Sequence, residues 1–361
     1  MSEGGVLVEA ADGSDWESFI SWRNLWLAQQ AAVRGKRSSS AVTRWEYRLG
    51  ENLLRLQTQL QSGTWSPGPY SRFAIHAPKK RVVSAAPFVD RVVHHAWIRV
   101  CGCAFERGFS PWSYANRVGM GTHAAIKRVE ALAQRHSWAL RLDVVQHFQS
   151  IDHALLLGKL GRKVHDERLL AVAQRILAGG AEQAPLIAGH LFLEGDDLFC
   201  AQRPRGLPIG NLTSQFWSHV YMDEIDQFIT RTLGCCAYAR YVDDMVLLAD
   251  DPDTLLRWAR ELMQRARERL RLRLHAHSAH PFPVAQGIPW LGMVVWPQRT
   301  RIKSRKVSSA TRRLRQTWRD WMAGEIAFNQ MDARFKGWVA HAEHAQAGAV
   351  NRVVLARACA S

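Results

Sequence analysis

The chain has 361 residues, enough for two or three subdomains around a substantial core, and its 47% hydrophobic and 22% charged residues exclude a disordered polymer. Lys and Arg number 48 against 32 Asp and Glu, a formal charge of +16 that points to a polyanionic partner, nucleic acid or an acidic membrane surface. No apolar run reaches the ~18–20 residues of a membrane span, and the six cysteines form no CxxC pair, which argues against a zinc ribbon or a disulfide framework.

The opening MSEGGVLVEAADGSDWE lacks the basic and apolar regions of a signal peptide, so residues 1–15 read as a flexible tail on a cytoplasmic protein. Trp16 to Gln61 is helical in pattern, interrupted by the basic turn RGKRSSS. RFAIHA and RVVSA then predict a hairpin with PKK at its tip. Helices are expected over 90–105 and 122–135, with WALRLDVVQHF (138–148) as an apolar strand ending in an aspartate. Residues 153–178 read as helical, 186–201 as a hairpin, and Thr213–Thr232 as another helix. CAYARYVDDMVLLAD (236–250) predicts strand, turn, strand, and 254–273 a basic helix. GIPWLGMVVW supplies a further hairpin strand. Residues 299–319 carry nine Lys or Arg and no acid on helical spacing, which suits a nucleic-acid backbone. His94, His95, Cys101 and Cys103 fall on a helical pattern and read as packing residues rather than a metal site. Most of the 15 tryptophans read as core.

The chemistry concentrates in two acidic turns. Asp243 and Asp244 are adjacent in a tight turn between apolar strands, where two carboxylates repel each other unless cations neutralise them. Asp143 ends another apolar strand, and neighbouring central strands would bring it beside Asp243. Carboxylates grouped in this way hold pairs of hard divalent cations for in-line phosphoryl transfer.

YVDD between apolar strands resembles the YxDD signature of reverse transcriptases. LRLDVVQHFQSIDH is similar to that family's preceding aspartate motif, and PKKRVV…DRVVHHA to its fingers motifs. SYANRVGMGTHAA, GLPIGNLTSQF, GIPWLG and FKGWVAHAEHA match further blocks in the family's order, from about residue 45 to 345. The resemblance implies an α+β right-hand polymerase with an antiparallel palm sheet: fingers over 16–136, palm over 137–300 with an insertion at about 154–205, and a helical thumb over 301–361. It implies RNA-directed DNA synthesis with two Mg²⁺ ions, Mn²⁺ being an alternative, on template RNA, a cDNA or primer end, and dNTPs.

Carried over residue by residue, Asp143, Asp243 and Asp244 match the metal-binding triad, Asp244 least directly, and the Val144 carbonyl completes a metal shell. Lys79 or Lys80 with Arg81 match the triphosphate clamp. Phe148 matches the ring that excludes a 2′-hydroxyl, and Ile209 and Gly210 line the nucleotide pocket. Gln215 and Tyr241 fall at primer–template positions. Trp290, Leu291 and Gly292 match the turn that seats the primer end. Arg299, Arg301, Lys303, Arg305, Lys306, Arg312 and Arg313 form a basic track for the duplex. Two positions depart from the family pattern. His147 replaces an aromatic, a change expected to affect packing only. No lysine stands where relatives place one for pyrophosphate, and nothing supports His275, His277 or His280 in its stead.

Within the family, IGNLTSQ replaces the usual QGxxxSP and looks like the enzymes of diversity-generating retroelements, which copy a template RNA with errors and use a small basic accessory protein. The length argues against a group II intron protein with its maturase region. A reverse transcriptase of antiviral defence, and a catalytically dead nucleic-acid scaffold, are the alternatives. The intact aspartates argue against the scaffold.

Overall fold

The structure, a computed structural model, describes residues 15–75, 81–181, 203–276, 279–343, 345 and 348–359. Helices α1 (Trp16–Ile20), α2 (Trp22–Val33), α3 (Ser40–Tyr47) and α4 (Leu49–Gln61) open it. The first two start at side-chain caps: Asp15 accepts from the Glu17 N–H and Ser21 from the Asn24 N–H. Strands β1 (Ser71–Ile75) and β2 (Arg81–Ala85) pair antiparallel, with Phe73 opposite Val83. The tip between them, with Lys79 and Lys80, lies outside the described residues, and of Arg81 only its place in β2 is described.

Helices α5 (Phe88–Glu106) and α6 (Thr122–Ala133) precede β3 (Trp138–Leu142). The helix expected over 153–178 is two: the one-turn α7 (His147–Ser150) leads into α8 (His153–Gly161), and α9 (Glu167–Ala181) starts separately. The break follows from Asp166, whose side chain accepts from the Arg168 N–H and whose carbonyl accepts from the Leu169 and Leu170 N–H groups. The hairpin expected at 186–201 lies outside the described residues.

Helix α10 (Leu212–Gln227) runs into a π-helical turn, Phe228–Thr232, before β4 (Tyr238–Tyr241) and β5 (Asp244–Ala249). Then come α11 (Pro252–Leu270), β6 (Phe282–Pro283), β7 (Ile288–Trp290), β8 (Met293–Trp296) and β9 (Arg299–Ile302). Helices α12 (Ser304–Met322), α13 (Phe328–Glu343) and α14 (Gly348–Cys359) complete the described chain. The strand β9 corrects the helical reading of 299 onward. Thr300 and Ile302 are buried while Arg299 and Arg301 are exposed, a period of two, and helix begins only at Ser304.

β1–β2 form one sheet, β4–β5–β3–β6 a second and β7–β8–β9 a third. The four-stranded sheet separates two cores. Leu140, Leu142, Tyr238, Met245 and Leu247 face one, shared with α5, α10 and α11. Ala139, Ala239, Val246 and Leu248 face the other, shared with α6, the third sheet and α12. Strands covered on both faces read as unbroken apolar runs, which is why β5 shows no polar alternation. Among the described residues no helix is long and apolar enough to cross a membrane. Trp97, Trp217 and Trp290 are wholly buried, whereas Trp22 and Trp26 are exposed on α2.

Candidate active site

β3 pairs antiparallel with β5 up to Leu142 opposite Met245, and β5 pairs with β4 down to Tyr241 opposite Asp244. Asp143 follows Leu142 directly, so the register sets it across from Asp244, beside the two-residue turn Val242–Asp243. The three aspartates of the two distant motifs therefore meet at one end of the sheet. Asp143, Asp243 and Asp244 are all partly exposed there. The backbone beyond β3 is tied down as well: the Asp143 carbonyl accepts from the His275 N–H (2.9 Å), and Val144 bridges Leu274.

The turn is strained. Val242 has φ of 60°, a conformation that a β-branched residue seldom adopts and that costs about 1–3 kcal/mol. Tyr241 accepts a hydrogen bond at its hydroxyl from Thr122 (3.2 Å).

Asp244 has a partner that the sequence did not disclose. Arg141 donates from Nε and Nη2 to its two carboxylate oxygens, both at 2.8 Å. Arg141 and Asp244 lie on the same face of neighbouring strands, since Arg141 is registered opposite Val246, two residues along. Burial raises the Asp244 pKa, the Asp143 charge raises it further, and Arg141 and Lys303 oppose the shift. A planar guanidinium meeting a carboxylate along both edges is a strong pairing, and it leaves Asp244 the least available of the three for a cation.

The donors at this end are hard oxygens, the kind that Mg²⁺ and Mn²⁺ prefer. Among the described residues no group of three His, Cys, Asp or Glu side chains forms a closed metal cage. An Mg²⁺ site shared between one or two carboxylates and substrate phosphates needs no such cage. Asp143, Asp243 and the Val144 carbonyl fit that description.

Phe148, on α7, is half-buried, and its carbonyl accepts from the Leu207 N–H at 2.7 Å. That bond joins it to the loop RPRGLPIGN. Gly206 donates to the Ile151 carbonyl (2.8 Å), and its own carbonyl is 2.7 Å from His153 Nε2. At the loop's other end the Ser84 N–H donates to the Ile209 carbonyl (2.9 Å), and Asn211 Nδ2 donates to the Ser84 carbonyl (2.9 Å). Gly210 has φ of 111°, and a Cβ there would lie 2.6 Å from Val83 Cγ1. Glycine is required because the loop presses on β2. Ile209 is half-buried, and Gln215 lies half-buried in the first turn of α10. His147, buried, has Nε2 2.6 Å from Ser218 Oγ, and burial pulls its pKa down to about 3. The imidazole thus fills the aromatic position as a neutral, hydrogen-bonded core group.

The turn between β7 and β8 presents only part of its motif. Trp290 is fully buried, so its ring packs in the core. Leu291 and Gly292 form the turn itself, at φ of 45° and 85°. Lys306 Nζ donates to the Leu291 carbonyl (3.3 Å), and the Lys303 N–H donates to that of Gly292 (3.2 Å). The start of α12 is thereby fastened to the turn. Arg299 stacks on Trp296 at 4.8 Å. Arg301, Arg305, Lys306, Arg312 and Arg313 are exposed, while Ala310, Leu314 and Thr317 turn inward. The basic face of α12 is thus a solvent face by construction.

A family model described as "Reverse transcriptase (RNA-dependent DNA polymerase)" matches residues 75–295. The group II intron-encoded protein LtrA of Lactococcus lactis subsp. cremoris is 22% identical over 214 residues, 58% of this chain and 33% of that protein. Protein YkfC of Escherichia coli is 25% identical over 221 residues, 56% of this chain and 54% of that protein. The chain thus spans between a third and about half the length of these relatives. The matched stretch runs from the end of β1 to β8 and holds all three aspartates, the loop before α10 and the 290–292 turn, and it is more than half of the chain: the protein belongs to the reverse transcriptase family.

Proposed function

We propose that the protein is an RNA-directed DNA polymerase that extends a primer end on template RNA with dNTPs. The observation that carries this reading is the convergence of Asp143 with the Val242–Asp243 turn at one end of the β3–β5 pair. In this reading the four-stranded sheet is the palm, residues 16–136 the fingers and 301–361 the thumb. Two Mg²⁺ ions, when bound, activate the primer 3′-hydroxyl and neutralise the triphosphate and leaving pyrophosphate. Asp143, Asp243 and the Val144 carbonyl would hold them.

The chain's own groups do the rest. Arg141 engages both oxygens of Asp244, so Asp244 contributes field more than ligation. Phe148 stands under the sugar of the incoming nucleotide, where a ring clashes with a 2′-hydroxyl. Lys79, Lys80 and Arg81 clamp the triphosphate, and Tyr241, Gln215 and the 290–292 turn seat the primer and template. The basic face of α12 follows the duplex backbone. The finer reading is an error-prone polymerase of the diversity-generating type, working with a small basic accessory protein. The Ile209–Gln215 stretch supports it, since an isoleucine in the pocket offers the base pair no hydrogen bond.

Primer extension on an RNA template with Mg²⁺ and dNTPs tests the reading. The parent should incorporate nucleotides and Asp243→Asn should lose at least a hundredfold. In the same assay, Phe148→Ala should admit ribonucleotides. A parent that incorporates nothing, with its accessory protein and RNA supplied, overturns the polymerase reading.

A further inference from the structure

Below the Val242–Asp243 turn lies a buried polar cluster to which the polymerase chemistry assigns no role. Arg240, in β4, is completely buried. Its Nε and Nη2 donate to the two oxygens of Asp226 (2.7 and 2.5 Å), and Nη2 also donates to Ser113 Oγ (2.9 Å). Asp226, equally buried at the end of α10, accepts a further bond from the Tyr238 hydroxyl at 2.7 Å. The remaining terminal nitrogen, Nη1, donates to the carbonyl of Val242 at 2.7 Å.

A buried ion pair is seldom a net stabiliser, since desolvation offsets the attraction and an apolar pair of similar volume serves as well or better. Holding α10 against β4 could be done without charge. The bond to Val242 is what an apolar pair cannot supply. The Val242 carbonyl belongs to the peptide joining Val242 to Asp243. Its orientation sets ψ of Val242 and φ of Asp243, and with them the direction of the Asp243 side chain. That peptide follows a valine at φ of 60°, which would relax to an ordinary conformation if nothing restrained it.

The anchor itself is held firmly. The Arg240 N–H donates to the Trp112 carbonyl (2.8 Å), and its carbonyl accepts from the Tyr114 N–H (2.9 Å), so residues 112–114 flank the outer edge of β4. A planar guanidinium can satisfy a carboxylate along one edge and a carbonyl at another corner at once, and a lysine ammonium cannot reproduce that geometry.

We propose that Arg240, oriented by Asp226, is a positioning residue that clamps the Val242–Asp243 peptide and so aims the Asp243 carboxylate. The inference rests on reading Asp243 as a nucleotidyl-transfer aspartate. It adds that the catalytic turn is kept strained from below by an ion pair that touches neither substrate nor cation.

The test compares the parent with two variants: Arg240→Met combined with Asp226→Leu, which removes both charges together, and Arg240→Lys. Each is measured for melting temperature, for primer–template Kd without divalent cation, and for kcat and half-saturating Mg²⁺ in primer extension. The double variant should melt near the parent and bind primer–template with unchanged Kd. Its kcat should fall at least tenfold and its half-saturating Mg²⁺ rise severalfold, and Arg240→Lys should shift both in the same direction. A folded variant with parental kcat and parental Mg²⁺ dependence overturns the clamp. Loss of folding in both variants also overturns it, since the pair would then be a structural support alone. An inactive parent is a separate result, and brings down the polymerase reading on which the clamp rests.

Discussion

Ile209 is the residue on which the proposed error rate turns. Its carbonyl accepts from the Ser84 N–H, which ties the backbone of the loop at this point to β2. If Ile209 lines the nucleotide pocket as proposed, its apolar side chain cannot reward a correctly shaped base pair with a hydrogen bond, and discrimination on the order of 1 kcal/mol, several-fold in error frequency, would be forfeited. Ile209→Gln should therefore lower misincorporation several-fold in sequenced cDNA while leaving total synthesis within a factor of a few. An unchanged error spectrum would remove Ile209 from fidelity. The identity of this residue was plain in the sequence. That Gly210 beside it is required by Val83, and not only by a nucleotide, was invisible, because the clash is made by a strand more than a hundred positions earlier. The Arg141–Asp244 and Arg240–Asp226 pairs were hidden for the same reason: nothing local marks an arginine in a strand as paired or names its carboxylate.

At the scale of elements, α5 carries a titrating group of its own. Asp90, in its first turn, is 1% exposed, accepts from the Gly68 N–H at 2.8 Å, and is raised by burial to about 6. A carboxyl whose folded pKa exceeds its unfolded value stabilises most below about pH 4 and loses that contribution as pH rises through about 6. The loss is on the order of 3 kcal/mol for a shift of about two units. Asp90→Asn keeps the acceptor for Gly68 and removes the charge. It should melt higher than the parent at pH 7.5, with the gap closing toward pH 4.5. A gap that does not change with pH would mean that the buried charge is not the cause. Element by element the sequence was a fair guide wherever a period persisted, as in α5, α11 and the β4–β5 hairpin. It failed at β9, where Arg299 and Arg301 continued a basic run whose charge masked a two-residue alternation of only four positions. It failed again between α8 and α9, where apolar spacing carried across a break made by Asp166.

At the scale of the whole molecule, part of the positive charge is gathered on one helix. Arg312 and Arg313 sit side by side on the exposed face of α12, whose buried face is anchored in the second core. If they contact phosphates, changing both to Gln should weaken primer–template binding about equally for all sequences. It should also flatten the plot of log Kd against log salt by about two units, one for each contact. A slope equal to the parent's would place the duplex elsewhere. The order of motifs, and so the family and the site's aspartates, was legible from residue 45 onward because each motif is short and contiguous. The joints between the parts were not. One of those joints bears on motion. Strand β2 and the loop before α10 are laced by the Ser84–Ile209 and Ser84–Asn211 bonds and by the bare face of Gly210 against Val83. Strand β2 is therefore coupled to that loop: it cannot tilt without dragging the loop or breaking those bonds. If that loop lines the nucleotide pocket as proposed, a change at β2 would be felt as a change of pocket shape, and the two could not be tuned independently.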